Sequence, residues 1–86
     1  MHELSLALDV CRIAEDTVGR DRLAFVTEVG IEVGDRAGIE VSNFEFCLEA
    51  LLSSPPFGSG RPALELLSGD DLRITYVEVD DGCPED

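Results

Sequence analysis

The chain has little with which to meet a polyanion or to run polar chemistry. Of its 86 residues one is histidine, one tyrosine, one methionine and none tryptophan. Six Lys and Arg stand against 19 Asp and Glu, a net charge of -13. So few cations exclude the basic face that phosphate backbones require, and no nucleic-acid partner is expected. Anionic membrane surfaces are disfavoured for the same reason. No apolar run approaches the ~18 residues of a membrane span. His2 is followed by Glu3 and Asp9, so the start lacks the positive segment of a signal peptide, and a cytoplasmic location is expected. The acidity suits partners that are basic patches or metal cations. Plain solubility explains the same number.

Three cysteines, Cys11, Cys47 and Cys83, are odd in number, widely spaced and without a CxxC pair. That excludes a disulfide framework and a zinc knuckle. Cys11 and Cys47 sit in apolar runs and read as small core residues, whereas Cys83 in GCPED reads as exposed and unpaired. One histidine, with no cysteine near it in sequence and no G-x-S-x-G, leaves nucleophilic catalysis without a base. GIEVGDRAG lacks the lysine and the glycine spacing of a phosphate loop. Nineteen carboxylates on a small surface form close pairs by accident. No catalytic residue is assigned, and an enzyme is not expected.

What is present is core material. Hydrophobic residues are 44% of the chain, and a chain of this size buries roughly 60–65% of its unfolded surface. A single domain over residues 1–86 is expected. Residues 3–18 carry helical spacing, with Leu4, Leu8, Cys11 and Val18 near one face, Ala7, Ala14 and Glu15 flanking it and Leu6, Val10 and Ile13 widening it; Gly19 ends the helix. RLAFVTEVGIEVG then alternates, with Phe25, Thr27, Val29, Ile31 and Val33 on one side and Val26, Glu28, Gly30 and Glu32 on the other, which is the period of a strand. Gly34-Asp35 breaks it. A second helix bears Phe44, Cys47, Leu48, Leu51 and Leu52; Ser42 or Asn43 can cap it, with Glu45 in its first turn. SSPPFGSGRP is irregular. The segment from Leu72 to Val79 reads as a strand, and Leu64–Leu67 can form a short strand before it, with a turn at Ser68-Gly69-Asp70 between them, so one or two strands follow the second helix. The economical packing is α+β, two helices on one face of a small sheet, with Glu28 and Glu32 on the open face.

The opening tripeptide Met1-His2-Glu3 holds the single histidine. A free terminal amine, the amide nitrogen of residue 2 and the histidine δ nitrogen can close small fused chelate rings around one ion. Such near-planar nitrogen ligation suits Ni(II) or Cu(II), not Ca(II) or Mg(II). The Glu3 amide or carboxylate can complete the coordination. Binding needs amine and imidazole unprotonated, so affinity should fall as pH drops through about 6 to 7. A Met-His start by chance is the competing reading.

The residues then converge on a family. MHELSLALDVCRIAED, VTEVGIEVGDRAGIEVSNFEFCLEAL and SGDDLRITYVEVDD, in this order, resemble the opening helix, the strand and second helix, and the last strand of HypA, the nickel-insertion accessory protein of [NiFe]-hydrogenase maturation. The resemblance implies the fold derived above, α+β with two helices packed on one face of a small three-stranded sheet. It also implies that His2 is a nickel ligand with the Met1 amine and Glu3 beside it, and that Glu40, just ahead of the second helix, supports the site. Without the resemblance, Glu40 is simply a carboxylate at a helix start. The partners implied are a HypB-like GTPase and a hydrogenase large subunit, with a homodimer also possible. HypA proteins carry a second lobe in which two CxxC pairs hold structural zinc. That lobe is absent here, with the shortening placed near residues 53–63, so no zinc is expected. The alternative function is a docking module in hydrogenase maturation that binds no metal and works through an edge strand.

Overall fold

The computed structural model describes residues 3–80; Met1, His2 and Cys83 lie outside them. Helix α1 spans Glu3–Val18. It stops at Gly19, whose φ of +92° suits a residue without Cβ, and the Gly19 N–H donates to the Glu15 carbonyl at 2.8 Å. The buried stripe of α1 is Ala7, Val10 and Ala14, while Leu4, Leu8 and Ile13 are exposed. The helix is therefore turned about one position from the face that its largest side chains suggest. Two alanines on the inner face let its backbone approach the core closely, which the leucines would prevent.

A 3-10 helix over Arg20–Phe25 occupies the expected start of the strand and buries Leu23. Strand β1 is Val26–Gly34. Its pairing jumps from Val26↔Val79 to Glu28↔Glu78, so Thr27 is an extra residue, a bulge. The bulge shifts the phase of the strand. Val26, rather than Phe25 or Thr27, joins Val29, Ile31 and Val33 on the inner face.

Helix α2 is Val41–Leu52, with Phe44, Leu48 and Leu52 buried. The following loop returns Phe57 to the core, where it is 6% exposed. Strands β2, Arg61–Leu67, and β3, Leu72–Val79, complete the sheet. The strand order is β2-β1-β3, with β2 parallel and β3 antiparallel to β1. The sequence suggests a tight hairpin between β2 and β3. Instead these strands flank β1, and Ser68–Asp71 carries the chain across its end. A hairpin would have left β1 at an edge with its run of Val29, Ile31 and Val33; the central place covers it from both sides. The crossing is tied down by backbone bonds from the Gly34 N–H to the Asp71 carbonyl at 2.7 Å and from the Asp35 N–H to the Leu67 carbonyl at 2.8 Å. Arg36 adds an ion pair to Asp70 at 3.1 Å.

Both helices lie on one face, and the core is wholly apolar among the described residues. Cys11 and Cys47 pack half-buried at its margin, and burial pushes the Cys11 thiol above its ordinary pKa. On the open face Tyr76 lies over Gly30 and donates to Glu28, while Arg73 pairs with Glu32 at 2.9 Å. No helix among the described residues is long and apolar enough to cross a membrane.

Candidate functional site

The N-terminal turn of α1 meets the N-terminal end of α2. Helix α2 begins directly after Glu40, which is its cap: the Glu40 carboxylate accepts the Asn43 backbone N–H at 2.8 Å. Ser42 and Asn43, the expected caps, lie inside the first turn, and Glu45 lies beyond it. The reason is the chain path. Glu40 is extended at φ -80°, ψ 101°, and its carbonyl already accepts the first helical bond, from the Phe44 N–H at 3.0 Å. The longer carboxylate arm then reaches forward to the third helical residue and accepts its N–H, a donor that no intrahelical carbonyl can reach.

Glu3 comes to the same place from 37 residues away. One carboxylate oxygen accepts the Glu40 backbone N–H at 3.0 Å. The other accepts the Asn43 side-chain amide at 3.2 Å. Two of the four candidate residues, Glu3 and Glu40, are thus adjacent, with Asn43 bonded to both. The other two, Met1 and His2, lie outside the described residues, but His2 is one peptide bond from Glu3. Asn43 was not legible as a site residue. The available signal was a polar side chain at the third position of a helix, which reads as a local capping residue.

The surroundings favour the ionised form of Glu3. Glu3 is held below the ordinary carboxylate pKa, first by the Glu40 N–H, then by its own backbone N–H and by Asn43. The end of α2 also presents the positive pole of the helix dipole. A lowered folded-state pKa contributes stability that is present above the unfolded value and lost as pH falls through the folded one. Replacing Glu3 by glutamine should therefore lower stability at neutral pH, with the difference from the unsubstituted protein shrinking below about pH 4. Urea unfolding at several pH values measures this; a difference constant across pH would contradict it.

Among the described residues, no three His, Cys, Asp or Glu side chains converge to hold a metal ion. Glu3 and Glu40 can offer oxygen donors or compensating charge to a cation held by neighbouring groups. They form no nucleophile–base pair.

Comparison with known proteins bears on this end of the molecule. A family described as hydrogenase/urease nickel incorporation, metallochaperone, HypA, matches residues 1–61, which include Glu3, Glu40 and Asn43. The hydrogenase maturation factor HypA of Albidiferax ferrireducens is 41% identical over 91 aligned positions, covering 99% of this chain and 80% of that protein. That of Cupriavidus necator is 45% identical over 53 positions, covering 62% of this chain and 44% of that protein. That of Methanobrevibacter smithii is 32% identical over 85 positions, covering 99% and 60%. The chain thus spans less than two thirds of the second and third relatives. With the family match holding both carboxylates of the α1–α2 junction and near-complete alignment at 41% identity, the chain belongs to the HypA family.

Proposed function

We propose that this chain is a nickel-handling accessory protein in the maturation of a [NiFe]-hydrogenase. It binds one Ni(II) as cargo through the Met1 amine, the His2 backbone and imidazole nitrogens, and Glu3, with Glu40 beside them. The observation that carries this reading is the bonding of Glu3 and Glu40 at the start of α2. It anchors the third residue of the chelating tripeptide. The Glu3 amide nitrogen or its carboxylate completes the coordination, and the carboxylate charge offsets that of the metal.

Transfer proceeds by ligand exchange, without catalysis by the protein, to a hydrogenase large subunit or with a HypB-like GTPase. Residues 1–86 act as one nickel-binding domain in the cytoplasm. They bind no zinc: the chain holds no CxxC pair.

The test is calorimetric titration of Ni(II) at pH about 7.5, where amine and imidazole are largely available. It uses untagged protein beside His2→Ala. One site of micromolar affinity or better, lost in the variant, supports the reading. Equal binding by the variant overturns it and favours the docking module, for which β2 and β3 both offer open edges.

A further inference from the structure

We propose that Asn43 is a positioning residue for the nickel site, clamping the Glu3 carboxylate to the start of α2 so that the chelating tripeptide is presented on a fixed base. This deepens the proposed function and rests on it. Nickel itself is not placed on Asn43. The residue acts through Glu3 and Glu40.

The argument is geometric. Asn43 is the only residue among those described whose backbone and side chain bond to both acidic members of the site. Its backbone N–H goes to Glu40 at 2.8 Å and its side-chain amide to Glu3 at 3.2 Å. The second oxygen of Glu3 is fixed by the Glu40 N–H at 3.0 Å. Both oxygens of one carboxylate are therefore held by two points on another helix, which fixes its rotation as well as its position. One donor alone would leave the carboxylate free to swing about that bond. Asn43 is exposed and contributes nothing to the core, so its side chain has no packing role to explain its orientation.

A chelate closed by a chain terminus pays an ordering cost when the metal binds, and a preformed anchor at the third residue removes part of that cost. The two carboxylates also repel each other. The Asn43 amide, together with the Glu40 N–H, offsets that repulsion and keeps both negative charges near the arriving cation. Losing the clamp should weaken nickel binding without unfolding the domain.

The substitution that isolates this role is Asn43→Ala. It removes the side-chain amide and retains the backbone N–H that Glu40 accepts. Alanine is a good helix former, so α2 keeps its start. Asn43→Gln is the conservative partner, since it keeps a side-chain NH2 donor for the Glu3 carboxylate on a stem one methylene longer. Nickel titration is run on the unsubstituted protein, both variants and His2→Ala, with the ligand-field absorption of bound Ni(II) and thermal unfolding recorded for each. The expected result is a loss of nickel affinity of about three- to tenfold in Asn43→Ala. Affinity is recovered at least partly in Asn43→Gln, and the melting temperatures stay close together. Nickel binding unchanged in Asn43→Ala overturns the positioning role while leaving the proposed function intact. Affinity loss that simply tracks a lowered melting temperature, without rescue by glutamine, also overturns it. Absence of nickel binding by the unsubstituted protein overturns the proposed function and the positioning role with it.

Discussion

Phe44→Ala is expected to destabilise the domain by about 3–5 kcal/mol, the usual cost of emptying a fully enclosed phenylalanine site. Phe44 has 0% exposure and heads the fully buried side chains of the core by volume. A domain of this size holds only about 5–15 kcal/mol in total, so the variant should melt roughly 15–30 °C lower. The effect reaches the candidate site by a short path. The Phe44 N–H makes the first helical bond of α2, to the Glu40 carbonyl at 3.0 Å, and Asn43 precedes it. Loosening this turn releases the cap and the anchor of Glu3 together. Phe46, two residues on, is 68% exposed; Phe46→Ala should change stability by less than about 0.5 kcal/mol. Thermal unfolding followed by circular dichroism separates the two. Equal losses at both positions would mean that the inner face of α2 has been misassigned.

That pair shows what the residues disclose on their own. The α+β arrangement was legible because periodicity changes from helical to alternating and back along the chain, and each change is marked by glycine or proline. Gly19 ends α1 and Gly34 ends β1 where the pattern stops. The rotation of α1 was not legible. Its apolar residues cover more than half the helix, and alanine carries too little hydrophobic signal to show that Ala7 and Ala14, not Leu4 and Leu8, face inward. The phase shift at Thr27 was hidden for a related reason: a bulge depends on the partner strand, which lies some 50 residues later. Non-local pairing also explains the missed order of the strands. Ser68-Gly69-Asp70 has the composition of a hairpin turn, and nothing local reveals that the chain crosses over β1. At the candidate site, Glu3 was available from the opening tripeptide and Glu40 from the family resemblance. Their contact, and the part of Asn43 in it, depend on how the two helices meet.

Gly34→Ala should destabilise the domain more than Gly30→Ala, although a Cβ at either position meets an atom well inside contact distance. At Gly34 the new methyl would lie 2.4 Å from the Gly69 carbonyl oxygen and 2.6 Å from its carbon. Those are backbone atoms of the segment crossing from β2 to β3. That segment is held by the Gly34 N–H bond to Asp71, by the Asp35 N–H bond to Leu67 and by the Arg36 N–H bond to Gly69. It can move only by giving some of these up, so a loss of about 1–3 kcal/mol is expected. At Gly30 the obstruction is the ring of Tyr76, at 2.2 Å. The ring is 45% exposed and can swing outward, giving up its bond to Glu28 and its cover over the strand. Alanine in turn restricts the unfolded backbone, which offsets part of that loss. Urea unfolding of the two variants measures the difference directly. A smaller loss at Gly34 than at Gly30 would mean that the crossing segment yields easily, and that β2 and β3 are joined by a flexible strap instead of a fixed one.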